Sequence, residues 1–160
     1  MVDLTLDINK DVEAWQNAVP DLDARIAQTF TKALATMDLS DQAAVEVSLL
    51  LTDDVHQQAL NLKWRGLDKP TNVLSFPAGD DPTSPDQALL LGDISLAYET
   101  VAAEAQDQQK TFDDHVSHLL VHGLLHLLGF DHDSDADAEE METLEIEILQ
   151  GLGISSPYTS

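Results

Sequence analysis

Three histidines toward the C-terminal end of the chain have a spacing that suits metal binding. His122 and His126 are four positions apart in the segment HGLLHLLGFDH, and His132 closes it. On a helix, this spacing places two imidazoles on one face, one turn apart. Gly129 tolerates a positive φ, so the chain can reverse there and return His132 toward the same ion. The segment therefore predicts a three-histidine metal site with one open coordination position.

The open position favours catalysis over a structural role. Structural zinc sites are usually closed by four protein ligands, whereas three ligands plus water lower the pKa of that water toward about 7. Zn²⁺, one ion per chain, is the expected cofactor. His118 lies one turn before His122 and is a candidate catalytic residue, which either supports a metal ligand or faces the substrate. Asp131 precedes His132 and either orients its imidazole or forms a turn.

The histidine frame resembles that of the metzincin zinc proteases, H-E-x-x-H-x-x-G-x-x-H, with one difference. Gly123 stands where those enzymes carry the glutamate that acts as general base. Metal-bound water that ionises near neutral pH makes this glutamate less necessary, whereas peptide cleavage still needs a proton shuttle to the leaving amine. We expect the missing side chain to leave space over the metal for a phosphate and its ribose.

Basic residues are rare and concentrated in one segment. The chain of 160 residues has a formal net charge of -23, from 30 acidic and 7 basic residues, and three of the seven are Lys63, Arg65 and Lys69. A guanidinium holds a phosphate through two donors, so Arg65 is the candidate for stabilising charge in the transition state. Lys63 and Lys69 are candidates for substrate binding, as are Asn72 and Ser75, which follow in an extended segment.

The elements that position these residues predict an α+β fold in a single domain, residues 1–160. We expect a central mixed four-stranded sheet packed by about five helices, with the zinc site on a helix in the C-terminal half. Apolar alternation and β-branched runs predict strands near 2–8, 43–51, 71–76 and 89–97, with a loop over 78–88. Helical patterns cover Val12 to Met37 with a break at Pro20, 54–63, Tyr98 to Gln109, Phe112 to Leu128, and Ala136 to Gln150.

Composition predicts a cytoplasmic protein without a membrane segment. No run is long and apolar enough to span a bilayer, the segment MVDLTLDINK lacks the features of a secretory signal, and there is no cysteine. The net charge predicts repulsion of polyanions, so on composition alone nucleic acid is a poor partner.

Three segments together resemble the YbeY endoribonuclease family of bacterial rRNA maturation factors. They are HGLLHLLGFDH, PTNVLSFP at 70–77 with an upstream arginine, and LGDISLA at 91–97. The resemblance implies zinc held by His122, His126 and His132, with the functional arginine of the family at Arg65. It also implies single-strand-specific RNA cleavage, maturation of the 16S rRNA 3′ end, ribosome quality control, and contact with small-subunit ribosomal proteins or an assembly GTPase.

The sequence departs from that family in two ways and leaves two other functions open. Phe130 stands where the family often has tyrosine, and the acidity implies that RNA binding uses a local basic patch or a ribosomal partner. One alternative is a metzincin-like metalloprotease that recruited another base. The other is a non-catalytic ribosome-assembly factor whose metal holds the C-terminal helices together. The acidic residues of 133–147 are expected to form mostly a solvated helix face, with Met141 in the core.

Overall fold

A computed structural model describes residues 3–19, 21–37, 44–78, 89–131 and 133–155. Within them, the elements are β1 (Asp3–Lys10), α1 (Ala14–Ala18), α2 (Leu22–Met37), β2 (Ala44–Thr52), α3 (Asp54–Arg65), β3 (Val73–Pro77), β4 (Leu89–Ala97), α4 (Tyr98–Asp107), α5 (Phe112–Leu127) and α6 (Asp135–Gly151). The predicted single α+β domain is confirmed. The helices number six because the predicted 12–37 region forms α1 and α2. The predicted loop lies almost wholly outside the described residues.

The four strands form one mixed sheet in the order β1-β2-β4-β3. β1, β2 and β4 are parallel, and β3 runs antiparallel to β4 at one edge. The β2–β4 register shifts between Glu46, which pairs with Leu90, and Val47, which pairs with Gly92. Leu91 is therefore the extra residue of a β-bulge. Gly92 has φ +142°, and a Cβ there would overlap the carbonyl oxygen of Phe76, so the bulge requires glycine.

Helices cover both faces of the sheet near the β3 edge. Ile94 and Leu96 of β4 are fully buried, and the Ile94 side chain lies where a Cβ on Gly123 of α5 would point. Ser95, between them, accepts a hydrogen bond from Gln57 Nε2 through its carbonyl oxygen (3.0 Å), and its hydroxyl donates to Gln57 Oε1 (2.8 Å). Because successive side chains of a strand point to opposite faces, α3 lies on the face opposite α5.

Side-chain caps and glycines define the ends of the helices that matter for the site. Asp53 accepts a hydrogen bond from the His56 backbone N–H at the start of α3, and Thr111 accepts one from Asp114 at the start of α5. Gly129 has φ +100° just after α5, as its predicted role in ending the helix requires. None of the described helices combines the length and the apolar character needed to cross a membrane.

Candidate active site

Helix α5 carries four histidines in one stripe: His115, His118, His122 and His126. Their ring centroids are separated successively by 6.1, 6.4 and 4.6 Å. The flanking positions of α5 are mostly buried leucines and valines that pack toward the sheet and α2. Because apolar packing fixes the rotation of the helix, the histidine stripe is confined to one side of it.

The last two histidines of the stripe converge. Nε2 of His122 lies 3.1 Å from Nε2 of His126. Two ligand nitrogens, each about 2.0–2.1 Å from one tetrahedral zinc ion, are about 3.3–3.4 Å apart. The separation therefore fits two ligands of one ion. His132 lies outside the described residues, so its role as third ligand stays a prediction, and no three His, Cys, Asp or Glu side chains gather into a metal site within the described part of the chain.

A buried carboxylate on α6, absent from the expected site residues, organises the stripe. Glu145 is 0% exposed; its Oε1 lies 2.6 Å from Nδ1 of His122, and its Oε2 lies 3.0 Å from Nε2 of His118. An ionised carboxylate only accepts hydrogen bonds, so both imidazoles donate to it. The tautomer of His122 with its proton on Nδ1 has an unprotonated Nε2 on the side of His126, which is the form that binds a metal.

His118 acquires a positioning role from this contact. Its Nε2 is engaged by Glu145, and its Nδ1 is buried. The side chain therefore helps to hold the carboxylate that orients His122. Direct participation of His118 in catalysis stays a prediction.

The sequence does contain a signal for Glu145. Met141 and Leu149, four residues before and after it, are almost fully buried, so position 145 belongs to the apolar stripe of α6. An acidic residue in such a stripe needs a partner in the interior. The expectation that the acids of 133–147 are mostly solvated fails at Glu145, whereas the core position of Met141 is confirmed.

A second network fixes the first histidine of the stripe. His115 is 2% exposed, and its Nε2 lies 2.9 Å from Oε1 of Glu104 on α4. Burial lowers the pKa of His115, and the contact with Glu104 opposes this shift only in part. The neutral ring therefore donates from Nε2, and its buried Nδ1 has no partner among the described residues.

The same carboxylate also holds Asn72, at the start of β3. Nδ2 of Asn72 donates to Oε1 of Glu104 at 2.9 Å, and Oδ1 accepts from the backbone N–H of Val73 at 2.6 Å. Nδ2 thus connects the start of β3 to α4 and, through Glu104, to His115, whereas Oδ1 makes a local contact with β3. Binding of substrate by Asn72 stays a prediction, since its observed contacts are structural.

Gly123 faces the sheet. A Cβ at this position would lie 3.2 Å from Cδ1 and Cγ2 of Ile94 and 3.2 Å from Oγ of Ser75. The expectation that Gly123 leaves space over the metal is therefore wrong. Its missing side chain allows α5 to approach β3 and β4 closely, and the Ser75 hydroxyl donates to the Gly123 carbonyl oxygen at 3.3 Å.

The basic cluster lies on the other side of β3. Arg65 is exposed at the last turn of α3 and lines an open groove of about 940 Å³, together with Ser75. Lys63 and Lys69 are also exposed. The histidines extend from the α5 side of the sheet and the cationic residues from the α3 side. Ser75 belongs to both, because it lines the groove and contacts the backbone beside His122.

Two further positions have the contacts of ordinary polar residues. Oδ1 of Asp131 accepts the backbone N–H of Asp133 at 3.2 Å, which is a turn contact, so orientation of His132 by Asp131 stays a prediction. His56 is 62% exposed and pairs with Asp53 at 2.7 Å, which raises the pKa of His56 through that hydrogen bond. Neither residue contacts the histidine stripe in the described structure.

The fold and the site define a class of small α+β proteins in which a helix beside the edge of a mixed sheet carries histidines backed by a buried carboxylate. The solution structure of TM1509 from Thermotoga maritima has this fold, with a TM-score of 0.58. The match covers 98% of this chain and 100% of that chain at 21% sequence identity. This similarity supports the fold alone.

Sequence comparisons define the family. The family model described as Endoribonuclease YbeY matches residues 9–153. A Paramagnetospirillum magneticum protein named endoribonuclease YbeY is 52% identical over 160 residues, which cover 97% of each chain. One of the same name from Bradyrhizobium sp. is 51% identical over 150 residues, covering 91% of this chain and 87% of the relative. The chain belongs to the endoribonuclease YbeY family, and the resemblance seen in the sequence is confirmed.

Proposed function

We propose that this protein is a zinc-dependent, single-strand-specific endoribonuclease. The observation that carries the proposal is the His122–His126 pair, with its two Nε2 atoms 3.1 Å apart and the outer nitrogen of His122 held by Glu145. His132 would complete the ligand set. When bound, zinc supplies a Lewis acid and lowers the pKa of a coordinated water to about 7. Family membership supports hydrolysis of RNA phosphodiester bonds.

The side chains of this protein have distinct tasks in such a reaction. Glu145 holds the His122 ring in one tautomer and orientation, so little reorganisation accompanies substrate binding. Arg65 is exposed and has no ion-pair partner among the described residues, so its guanidinium is available to a phosphate. A guanidinium stabilises the charge that grows on phosphate oxygens during cleavage. Lys63 and Lys69 lie near it in the chain and would hold the adjoining backbone.

The metalloprotease alternative is weakened by the packing of Gly123. A glutamate at this position would point into Ile94 and Ser75, so the peptide-hydrolysing base of the metzincin frame has no room on this helix face. Only a measurement of RNA cleavage distinguishes an enzyme from the assembly-factor alternative, because a structural metal would also bind the histidine pair.

The proposed cellular role is maturation of the 16S rRNA 3′ end and ribosome quality control in the cytoplasm. Small-subunit ribosomal proteins and an assembly GTPase are the proposed partners. The net charge of -23 supports a presenting partner, since a chain with 7 basic residues repels a free polyanion.

The test compares two variants that remove different parts of the site. We expect His126→Ala to lose both bound zinc and cleavage of a single-stranded rRNA fragment. We expect Arg65→Glu to keep its zinc content and melting temperature while cleavage falls at least about 100-fold, the usual cost of a lost transition-state donor. Lys32→Glu, an exposed lysine on α2, makes the same charge change elsewhere and should cleave like the wild type.

Two results would overturn the proposal. Wild-type protein that binds zinc and folds, but has no ribonuclease activity above that of His126→Ala, would favour the structural-metal alternative. Cleavage of an unstructured protein substrate without cleavage of RNA would favour the protease. Parallel purification of all variants controls for contaminating ribonuclease.

A further inference from the structure

Trp64 is the one tryptophan, tyrosine or phenylalanine of the described residues whose side chain is exposed. It is 61% exposed, whereas Trp15 and Phe30 are fully buried. A tryptophan on the surface of a chain with 5% aromatic residues forgoes a large hydrophobic contribution to folding. Such exposure beside a cationic segment is typical of a binding surface.

The ring of Trp64 is supported on one side and open on another. Its centroid lies 6.3 Å from that of Phe76 with an interplanar angle of 60°, so Phe76 on β3 contacts it without covering a whole face. Nζ of Lys63 lies 5.1 Å from the ring centroid. An exposed cation–π contact is weaker than stacking of a base on an aromatic ring, so a base would displace the ammonium.

We propose that Trp64, supported by Phe76, stacks a nucleobase of the single-stranded RNA substrate; this rests on the proposed ribonuclease function. The net charge of -23 limits how much of the affinity for RNA can come from contacts with phosphates. A chain with so few cations gains little from counterion release, so the charge-independent free energy of stacking must supply much of its affinity for RNA. Every base offers a π-face, which also suits cleavage that requires a single strand rather than one sequence.

The side chains on the floor of the groove determine which side of the RNA strand faces the protein. Asp7, Ser48 and Asp93 are paired across β1, β2 and β4 and line the groove that Trp64 and Arg65 border. Two carboxylates repel phosphates from the floor but accept hydrogen bonds from base amino groups. Bases therefore point into the groove, and the sugar-phosphate backbone runs along the rim formed by α3.

Binding of a probe whose length is confirmed to be unchanged after each titration tests this surface separately from catalysis. A short 2′-O-methyl oligocytidine should quench the fluorescence of Trp64, while buried Trp15 is shielded. Affinities of all variants are measured by fluorescence anisotropy of an end-labelled probe, because variants of Trp64 lack its fluorescence. We expect Trp64→Ala to weaken binding about 5- to 150-fold, the range for loss of one stacked base. Trp64→Phe should keep most of the affinity, because the ring face remains. Leu62→Ala removes another exposed apolar side chain, 49% exposed, from a different side of α3 and should bind like the wild type.

The outcomes separate the stacking surface from the proposed reaction. Trp64-dependent binding in a protein that cleaves no RNA supports the stacking surface and overturns only the hydrolysis. Three results would each overturn the stacking surface. The first is equal affinity of Trp64→Ala and the wild type, and the second is binding of the probe without quenching of Trp64. The third is a failure of the wild type to bind the probe. A loss of affinity in Leu62→Ala equal to that in Trp64→Ala would do so too, since it would point to general apolar contact.

Discussion

At the scale of single residues, Glu145 governs the site although it would not touch a substrate. It is a fully buried carboxylate that accepts from two imidazoles, and such a group is tolerated in the interior only because its hydrogen bonds are made. The hydrogen bond between Glu145 and Nδ1 of His122 fixes the orientation of the His122 ring. Positioning residues of this kind change metal affinity by about 10–100-fold when they are lost.

We therefore expect Glu145→Gln to bind zinc about 10–100-fold more weakly than the wild type. A carboxamide has one acceptor oxygen in place of two, so it cannot accept from both His118 and His122. Competition with a chelating dye measures the affinity. Glu147→Gln makes the same chemical change at an exposed position of α6 and serves as the control. Equal affinities in the two variants would show that the carboxylate does not support the metal.

His115 gives the stability of the protein a pH dependence of known sign. Burial lowers its pKa in the folded state, whereas the unfolded chain titrates near 6.5. The stability it contributes is therefore present above pH 6.5 and is lost as the pH falls toward the folded-state pKa. In urea unfolding, we expect the wild type to lose more stability than His115→Gln between about pH 7.5 and 5.5. Identical losses would contradict the burial-based shift.

At the scale of elements, the edge strand β3 organises the molecule, since it separates the histidine helix from the cationic end of α3. Its placement depends on the bulge of β4. Gly92 adopts φ +142° and lies against the Phe76 carbonyl, while the backbone N–H of Ala78 donates to the carbonyl oxygen of the bulged residue Leu91 at 3.0 Å. Changes at the bulge should therefore disturb both sides of the site.

Gly92→Ala should destabilise the fold by more than about 3 kcal/mol, because the new methyl group meets backbone as well as requiring an unfavourable φ. The matched control is Gly153→Ala, where φ is +78° but nothing lies within 4 Å of the new atom. Strain alone should cost about 1–2 kcal/mol there. Chemical denaturation measures both, and equal losses would refute the importance of the close approach.

The strands and helices were predictable from the sequence where neighbouring residues alone determine them. Apolar periodicity and capping residues located the strands and most helix ends, including the stop at Gly129. The histidine pair followed from helix geometry in the same way. The orientation of Gly123 toward Ile94 was not predictable, because it depends on which face of α5 meets the sheet. The separation of Arg65 from the histidines by β3 likewise depends on strand order, which no local pattern encodes.

At the scale of the whole molecule, net charge opposes the proposed substrate. Electrostatic repulsion extends about 30 Å at 0.01 M salt and about 8 Å at 0.15 M. At low salt, an approaching RNA meets the field of all 30 acidic residues, whereas at higher salt it meets mainly the local cluster of Lys63, Arg65 and Lys69. Long-range repulsion and short-range attraction therefore dominate at different ionic strengths.

We expect kcat/KM for a short single-stranded RNA to rise with salt from about 0.01 to 0.15 M and to fall at higher concentrations. The rise reflects screened repulsion, and the fall reflects weakened phosphate contacts. Initial rates at low substrate concentration measure it, with zinc occupancy and melting temperature followed at each salt concentration. A decrease that begins at the lowest salt concentration would contradict this account.

The bracing of α5 by α6 also makes the histidine helix sensitive to damage elsewhere in the chain. Glu145 lies 23 positions after His122, so a molecule cleaved between α5 and α6 can lose the acceptor that selects the His122 tautomer while it keeps the whole histidine stripe. Loss of α6 therefore disturbs the orientation of His122 without removing any histidine of α5.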